Sequence, residues 1–186
     1  MAWIILAVLA IFILLVIGLY NSLVRLTVQT ENAWADIDVQ LKRRHDLIPN
    51  LVETVKSYAG HEKQTLEAVI AARNRAMSAT TPSRKAEAEG ILAQSLKSLF
   101  AVAEAYPQLR AVESFTQLQA SLNQIEEAVQ NARRYYNAVV RDLNTKIQEF
   151  PSNMIADSFS FRTREFFELT DVAERAVPKV SFEQTR

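Results

Sequence analysis

The sequence predicts an all-α protein in which one membrane-spanning helix is followed by an antiparallel helical bundle. Three observations predict it: residues 2–20 carry no charge, apolar residues recur at helical spacing afterwards, and only 3 Gly and 5 Pro occur among 186 residues. So few turn-forming residues are too few for a many-stranded β-fold. We divide the chain into an anchor (1–24), a helical bundle (25–157) and a phenylalanine-rich segment with its tail (158–186).

The apolar segment has the length of a membrane-spanning helix. It runs from Ala2 to Tyr20, and a helix of that length rises about 28 Å, close to the hydrocarbon thickness of a bilayer. Trp3 and Tyr20 stand near its two ends, where aromatic rings prefer the headgroup level. A cleaved signal peptide is disfavoured because no basic residue precedes the run and no small-x-small site follows it. Because Arg25 follows the run, the positive-inside rule favours a cytoplasmic bundle.

The rest of the chain repeats apolar residues every three or four positions, which is typical of a helix in a bundle or coiled coil. A second stripe runs from Leu51 to Met77, and a third from Ile91 to Tyr106, with Thr81 expected to cap a helix that begins at Pro82. Connections this short place successive helices side by side and antiparallel. The clearest stripe ends at Phe150-Pro151 and comprises Leu118, Leu122, Ile125, Val129, Ala132, Tyr136, Val139, Leu143 and Ile147.

Pro49 leaves two architectures open. The stripe from Leu26 to Val55 crosses the proline almost in phase, which favours one long helix kinked at Pro49 and a three-helix bundle. Residues 50–53 (NLVE) instead resemble a capping box that would begin a new helix. A break at Pro49 gives four helices of better-matched length, so we favour the four-helix bundle.

The sequence contains no recognisable reactive constellation, and we assign no catalytic, cofactor-binding or metal-binding residue. The 21 basic and 21 acidic residues balance, which argues against a nucleic-acid partner. The chain has no cysteine and therefore no Cys-based zinc site. His61-Glu62 begins like a zinc-protease motif, but Thr65 occupies the position of the second ligand.

One segment after the last long helix is crowded with aromatic residues that no single helical stripe explains. Its rings could pack back onto the bundle, dock on another subunit or partner, or insert at the membrane surface. We take the following residues as candidates for a partner-contact surface with a basic rim: Phe159, Phe161, Phe166, Phe167, Lys42, Arg43 and Arg44.

The chain resembles the LemA family of bacterial membrane proteins. The similarity runs through AWADIDVQLKRRHDLIPNLVETVKSYAGHE (residues 33–62), ARRYYN (132–137), FPSN (150–153) and the phenylalanine-rich segment, in which Ser160 stands where the family often has Gly. The resemblance implies a short anchor in the bacterial inner membrane, a helical bundle and no established enzymatic activity. A magnetotactic relative linked to magnetosome membranes suggests membrane organisation, and some relatives have genes beside those of membrane metalloproteases, which suggests such a system as a partner.

These observations lead to one functional hypothesis and two rivals. We expect a non-enzymatic scaffold or adaptor, held in the bilayer by residues 2–20, whose bundle contacts other membrane proteins or copies of itself. The first rival is a receptor that binds a small ligand in the bundle. The second, a hydrolase or metalloenzyme, has no motif to support it.

Overall fold

The computed structural model describes residues 1–168, and these form six helices. The first, α1, spans Ala2–Ala59 and is 58 residues long. Its first part is a candidate membrane span, with a mean hydropathy of 3.2 over its most apolar 18-residue window and none of that window buried. The all-α class, with a long apolar helix at the start, is confirmed.

Five further helices complete the bundle, of which α4 and α6 are short. They are α2 (Lys63–Ser78), α3 (Pro82–Glu104), α4 (Pro107–Arg110), α5 (Glu113–Gln148) and α6 (Ser152–Ser158). Contacts between Arg44 and Glu126, and between Trp34 and Tyr136, show that α5 runs antiparallel to α1. α2 packs against α3, and the short α6 packs on α1 and α5 near the membrane end.

The core divides into an upper and a lower part along α1. The upper part joins α1, α2, α3 and α5 through fully buried residues such as Leu51, Val55 and Leu99. The lower part lies nearer the membrane and is built by α1, α5 and a few residues of other segments, including Ile37, Val140 and Phe167. The stripe predicted for α5 supplies buried residues to both parts, and its spacing explains why one helix lines the whole bundle.

The predicted break at Pro49 is wrong, because α1 continues through the proline to Ala59. Proline has no backbone N–H, so the carbonyl four residues earlier, that of His45, loses its helical partner. Arg73 of α2 donates its Nε–H to that carbonyl at 2.7 Å and replaces the missing hydrogen bond. The bundle still has four long helices, but the first reversal lies at Gly60–Glu62, and the stripe from Leu51 to Met77 is divided between α1 and α2.

The predicted start of α3 is confirmed. Thr81 is its N-cap and accepts a hydrogen bond from the backbone N–H of Arg84, with Pro82 in the first helical position. After α3, Pro107 begins the four-residue α4, and α5, which carries the clearest predicted stripe, begins at Glu113. Residues 169–186, which include the rest of the predicted tail, lie outside the described residues.

Candidate functional site

A buried ionic cluster links three helices at the middle of the bundle. Glu89 of α3 is 6% exposed and lies between two residues of α1: Nε2 of His45 donates to its Oε1 at 2.6 Å, and NH1 of Arg44 lies 3.4 Å from its Oε2. Arg44 also pairs with Glu126 of α5 at 3.2 Å. Each buried charge of the cluster thus faces an opposite charge, and the cluster connects α1, α3 and α5 at one level of the bundle.

The burial of Arg44 removes it from the predicted basic rim. Lys42 and Arg43, its neighbours on α1, remain exposed. Lys42 pairs with Asp46 one turn later at 2.7 Å, and this hydrogen bond, against a smaller opposing effect of desolvation, lowers the pKa of the Asp46 carboxyl below its ordinary value.

Residues 161–168 form a strap without regular secondary structure along the lower part of α1 and α5. Phe161 contacts Tyr20 with ring centroids 5.7 Å apart, and Phe167 contacts Trp34 at 6.0 Å. The 14 residues from Tyr20 to Trp34 rise about 21 Å along α1, a distance that six residue steps cover only when almost fully extended. The strap is therefore an extended chain that leads away from the membrane end.

Two asparagines of α5 hold the strap by its backbone. The side-chain amide of Asn144 donates to the carbonyl of Arg164 at 2.9 Å and accepts from its N–H at 2.8 Å. Asn137 makes the same pair of bonds with Phe167, at 3.1 and 2.8 Å. The Tyr136 hydroxyl donates to the carbonyl of Glu165 at 2.8 Å, and burial raises the pKa of that hydroxyl. Five hydrogen bonds thus satisfy backbone groups that have no partner in a helix or sheet.

Phe167 anchors the strap in the lower core. Its side chain is 1% exposed and packs with Trp34 and Tyr136, while the Arg133 guanidinium lies 5.2 Å from the centre of its ring. This burial removes Phe167 from the predicted contact surface, because a ring enclosed in the chain's own core is not available to a partner. For this ring the structure corresponds to the alternative in which the aromatic segment packs back onto the bundle.

The strap covers a part of the bundle that α2 and α3 do not reach. The turn between those helices lies at the level of Trp34, since Thr80, Pro82, Trp34 and Arg164 line one cleft of about 400 Å³. At this turn Ser83 donates to the Glu165 carboxylate at 3.3 Å. Nearer the membrane, Arg164 pairs with Glu31 of α1 at 3.1 Å. Because α2 and α3 are shorter than α5, the strap, α6 and Phe159 cover the lower part of α1 and α5 in their place.

The remaining candidate residues do not form one surface. Phe159 lies at the membrane end, where its ring centre is 4.8 Å from that of Tyr20, and Phe161 is partly buried beside it. Phe166 is 36% exposed and belongs to the upper end of the strap. Lys42 lies 22 residues beyond Tyr20 on α1, which is about 33 Å along the helix. Trp3 is exposed near the other end of the apolar segment.

Two further features bear on chemistry and binding. An open cleft of about 570 Å³ lies where α1 meets α2, lined by apolar residues such as Val52, Leu66 and Ile70, with Lys56 and Lys63 among its walls. Within residues 1–168, no group of three or more His, Cys, Asp or Glu side chains is placed to hold a metal ion.

Fold and site together define a class of protein: a helical bundle joined without interruption to a helix long and apolar enough to span a membrane. More particularly, the chain belongs to the LemA family, whose model matches residues 33–182. It is similar to magnetosome protein MamQ 1 of Paramagnetospirillum magneticum, with 24% identity in an alignment 184 residues long. The alignment covers 84% of this chain and 67% of that protein. It is also similar to protein LemA of Metamycoplasma hominis, 23% identical over 166 residues that cover 87% and 74% of the two chains. These similarities identify a membrane-associated protein of the LemA family.

Proposed function

We propose that this chain is a non-enzymatic, membrane-anchored scaffold or adaptor whose bundle binds other membrane proteins or copies of itself in the bacterial inner membrane. The observation that carries the proposal is the continuity of α1, which includes both the apolar span and the first helix of the bundle. Because this helix runs from the span into the bundle without a linker, the surfaces of the bundle stand at fixed heights above the membrane. Relatives named as magnetosome proteins support a role in organising a membrane or its proteins.

The proposed contact surface is the side of the bundle rather than its core. It comprises two separate places that are exposed well away from the membrane end: Lys42 and Arg43 on α1, and Phe166 on the strap. Aromatic residues and arginine are enriched at protein contacts relative to the rest of the surface, which favours Phe166 and Arg43 as contact residues. A membrane metalloprotease system is one candidate partner.

Crosslinking in native membranes tests the proposal. A photoreactive amino acid is placed at Arg43 or at Phe166 in the full-length chain, with Lys97, exposed on α3, as the matched control position. We expect reproducible adducts of defined mass from positions 43 and 166 and fewer from position 97. Recovery of only uncrosslinked monomer from both test positions would contradict the scaffold.

We also propose that the bundle lies on the cytoplasmic side, because Arg25 follows the span and positive residues favour that side. Met77 is 55% exposed at the end of α2, and the chain has no other thiol to interfere. A Met77→Cys variant should therefore resist a membrane-impermeant maleimide in intact cells and react after lysis. Labelling in intact cells would place the bundle outside.

A ligand-binding receptor is the second candidate, and the 570 Å³ cleft between α1 and α2 favours it. Apolar walls suit the tail of an amphipathic anion, whose charge would face Lys56 and Lys63, which outnumber the one carboxylate of the lining, Glu67. The test is binding of a fluorescent fatty acid by the full-length protein and by a Lys56→Glu, Lys63→Glu variant. Saturable binding lost in the variant would support the receptor, and equal binding by both proteins would count against it.

A further inference from the structure

The membrane end of the bundle exposes large apolar side chains. Phe150, in the turn after α5, is 77% exposed, Met154 on α6 is 61% exposed, and Phe159 just after α6 is 57% exposed. Such side chains are ordinarily scattered singly over a soluble surface, whereas these three fall within ten residues of chain at one end of the molecule.

The ring contact between Tyr20 and Phe159 fixes the height of this surface. Tyr20 ends the apolar run of α1 and so lies at the edge of the hydrocarbon layer. Because the two ring centres are 4.8 Å apart, Phe159 lies at the same depth. Met154 lies on α6, which ends at Ser158 directly before Phe159, and the seven residues of this helix extend only about 10 Å. Trp34 of α1 contacts Tyr136 of the antiparallel α5, and Tyr20 and Phe150 each lie 14 residues from that contact toward the membrane, so Phe150 lies near the same height.

We propose that Phe150, Met154 and Phe159 form a membrane seat that lies in the interfacial layer of the bilayer, between headgroups and acyl chains. The span that continues into the bundle brings lipid beside this surface, so the seat extends an existing lipid contact. Phenylalanine and methionine gain from burial at that boundary. Exposed charged neighbours limit the depth of insertion: Glu149 before Phe150, Asp157 on α6 and Arg25 on α1. Their charges belong among the headgroups. The seat thus holds the bundle by a second point beside the span.

Site-directed spin labelling of the full-length protein tests the seat. The described residues contain no cysteine, so Met154→Cys and Phe159→Cys each give one labelled site in vesicles of phosphatidylethanolamine and phosphatidylglycerol. Met77→Cys, exposed at a distance from the seat, is the aqueous control, and Leu9→Cys within the span is the lipid control. The measurement is the collision rate of each nitroxide with molecular oxygen, which concentrates in lipid, and with a water-soluble nickel chelate.

We expect the ratio of oxygen to chelate collisions at residues 154 and 159 to exceed that at residue 77 and to approach that at residue 9. A ratio at both sites equal to that of residue 77 would overturn the seat. Low collision rates with both reagents would also overturn it, because they would show that protein rather than lipid covers the surface. Met154→Cys leaves the Tyr20–Phe159 contact intact, so its result remains decisive if Phe159→Cys disturbs the fold.

Discussion

At the scale of single residues, Glu89 of α3 carries a buried negative charge that faces two residues of α1. Its carboxylate is within 3.4 Å of Arg44 and 2.6 Å of His45, and all three side chains are buried. Removing Glu89 leaves buried His45 without this partner and Arg44 with Glu126 alone, and breaking a buried pair in this way costs more than the pair contributes. The cluster therefore makes the packing of α3 on α1 sensitive to a single substitution.

We expect Glu89→Ala to lower the free energy of unfolding by about 3 kcal/mol, since Arg44 and His45 lose their common partner. The matched control is Glu87→Ala on the same helix. Glu87 pairs with Arg75 at 3.2 Å, but both side chains are more than half exposed, so this change should cost less than about 1 kcal/mol. Denaturant unfolding of the detergent-solubilised proteins measures both, and equal losses would show that the buried cluster contributes no more than a surface pair.

The stabilisation that the Tyr136 hydroxyl provides to the strap should depend on pH in the alkaline range. Burial raises the pKa of its hydroxyl above the ordinary 10.0, so the folded state keeps the proton to a higher pH than the unfolded state does. The stabilisation by the protonated hydroxyl is therefore complete below the pKa that Tyr136 has in the unfolded state. It is lost as the pH rises through the pKa that Tyr136 has in the folded state. We expect Tyr136→Phe to cost about 1 kcal/mol near neutral pH, and the difference from the wild type to shrink above pH 10. Unfolding curves of both proteins across the alkaline range measure it, and a constant difference would contradict the assignment.

At the scale of elements, the continuity of α1 depends on a residue from another helix. Pro49 deprives the His45 carbonyl of its helical donor, and Arg73 of α2 supplies a substitute at 2.7 Å. The local sequence around Pro49 could not reveal this, because the compensating donor lies 24 residues farther along the chain.

A double-mutant cycle tests this compensation. Arg73→Met should lower the free energy of unfolding by about 1–2 kcal/mol in the wild type, because the His45 carbonyl is left without a donor. In a Pro49→Ala background the restored N–H at residue 49 can bond that carbonyl, so Arg73→Met should cost less there. An identical cost in both backgrounds would mean that Arg73 stabilises the protein by other contacts.

The helices and their faces could be predicted from the sequence, but the polar contacts of the site were missed. Spacing predicts the stripe of α5, and the Thr81-Pro82 pair predicts the start of α3, because both signals are local. The charge of Arg44 predicts a place in a basic rim, but its position in phase with the buried residues Ile37, Leu41 and Ile48 indicates burial. Asn137 and Asn144 stand seven residues apart, each following a buried residue of α5, and this repeat marks the side that holds the strap. The strap itself has no helical period, so nothing local predicts its path.

Loss of the two asparagines should release the strap while leaving the helices folded. In an Asn137→Ala, Asn144→Ala variant, Arg164 and Phe167 lose four backbone hydrogen bonds. We expect faster amide hydrogen exchange in residues 161–168 and faster tryptic cleavage after Arg164, because the open state becomes more populated. Asn131→Ala is the matched control, since Asn131 lies exposed on the same helix and its side chain accepts a hydrogen bond from Arg134, one turn away. Unchanged exchange in the double variant would show that the burial of Phe167, the Tyr136 hydrogen bond and the Arg164–Glu31 pair hold the strap without the asparagines.

At the scale of the whole molecule, one helix sets how far the bundle stands from the bilayer. Tyr58 lies 38 residues beyond Tyr20 on α1, which corresponds to about 57 Å of helix. Membrane helices tilt by about 20° on average, so the far end of the bundle should stand roughly 50–55 Å above the edge of the hydrocarbon layer. The strap and α6 contact the lower part of α1, and the proposed membrane seat lies beside it. These contacts oppose a bend of α1 that would tilt the bundle toward the membrane surface.

Energy transfer to the membrane surface measures this height. A donor dye on Tyr58→Cys, whose parent side chain is 45% exposed, is paired with acceptor dyes on lipid headgroups in vesicles that contain the full-length protein. We expect weak transfer, because the donor stands about 50 Å from the acceptors, and strong transfer from the same dye on Arg25→Cys, five residues beyond Tyr20. A bundle lying flat would bring residue 58 within about one bundle width, roughly 20 Å, of the headgroups. Strong transfer from both positions would therefore show that α1 bends outside the membrane. That result would contradict the fixed height of the bundle on which the proposed scaffold function depends.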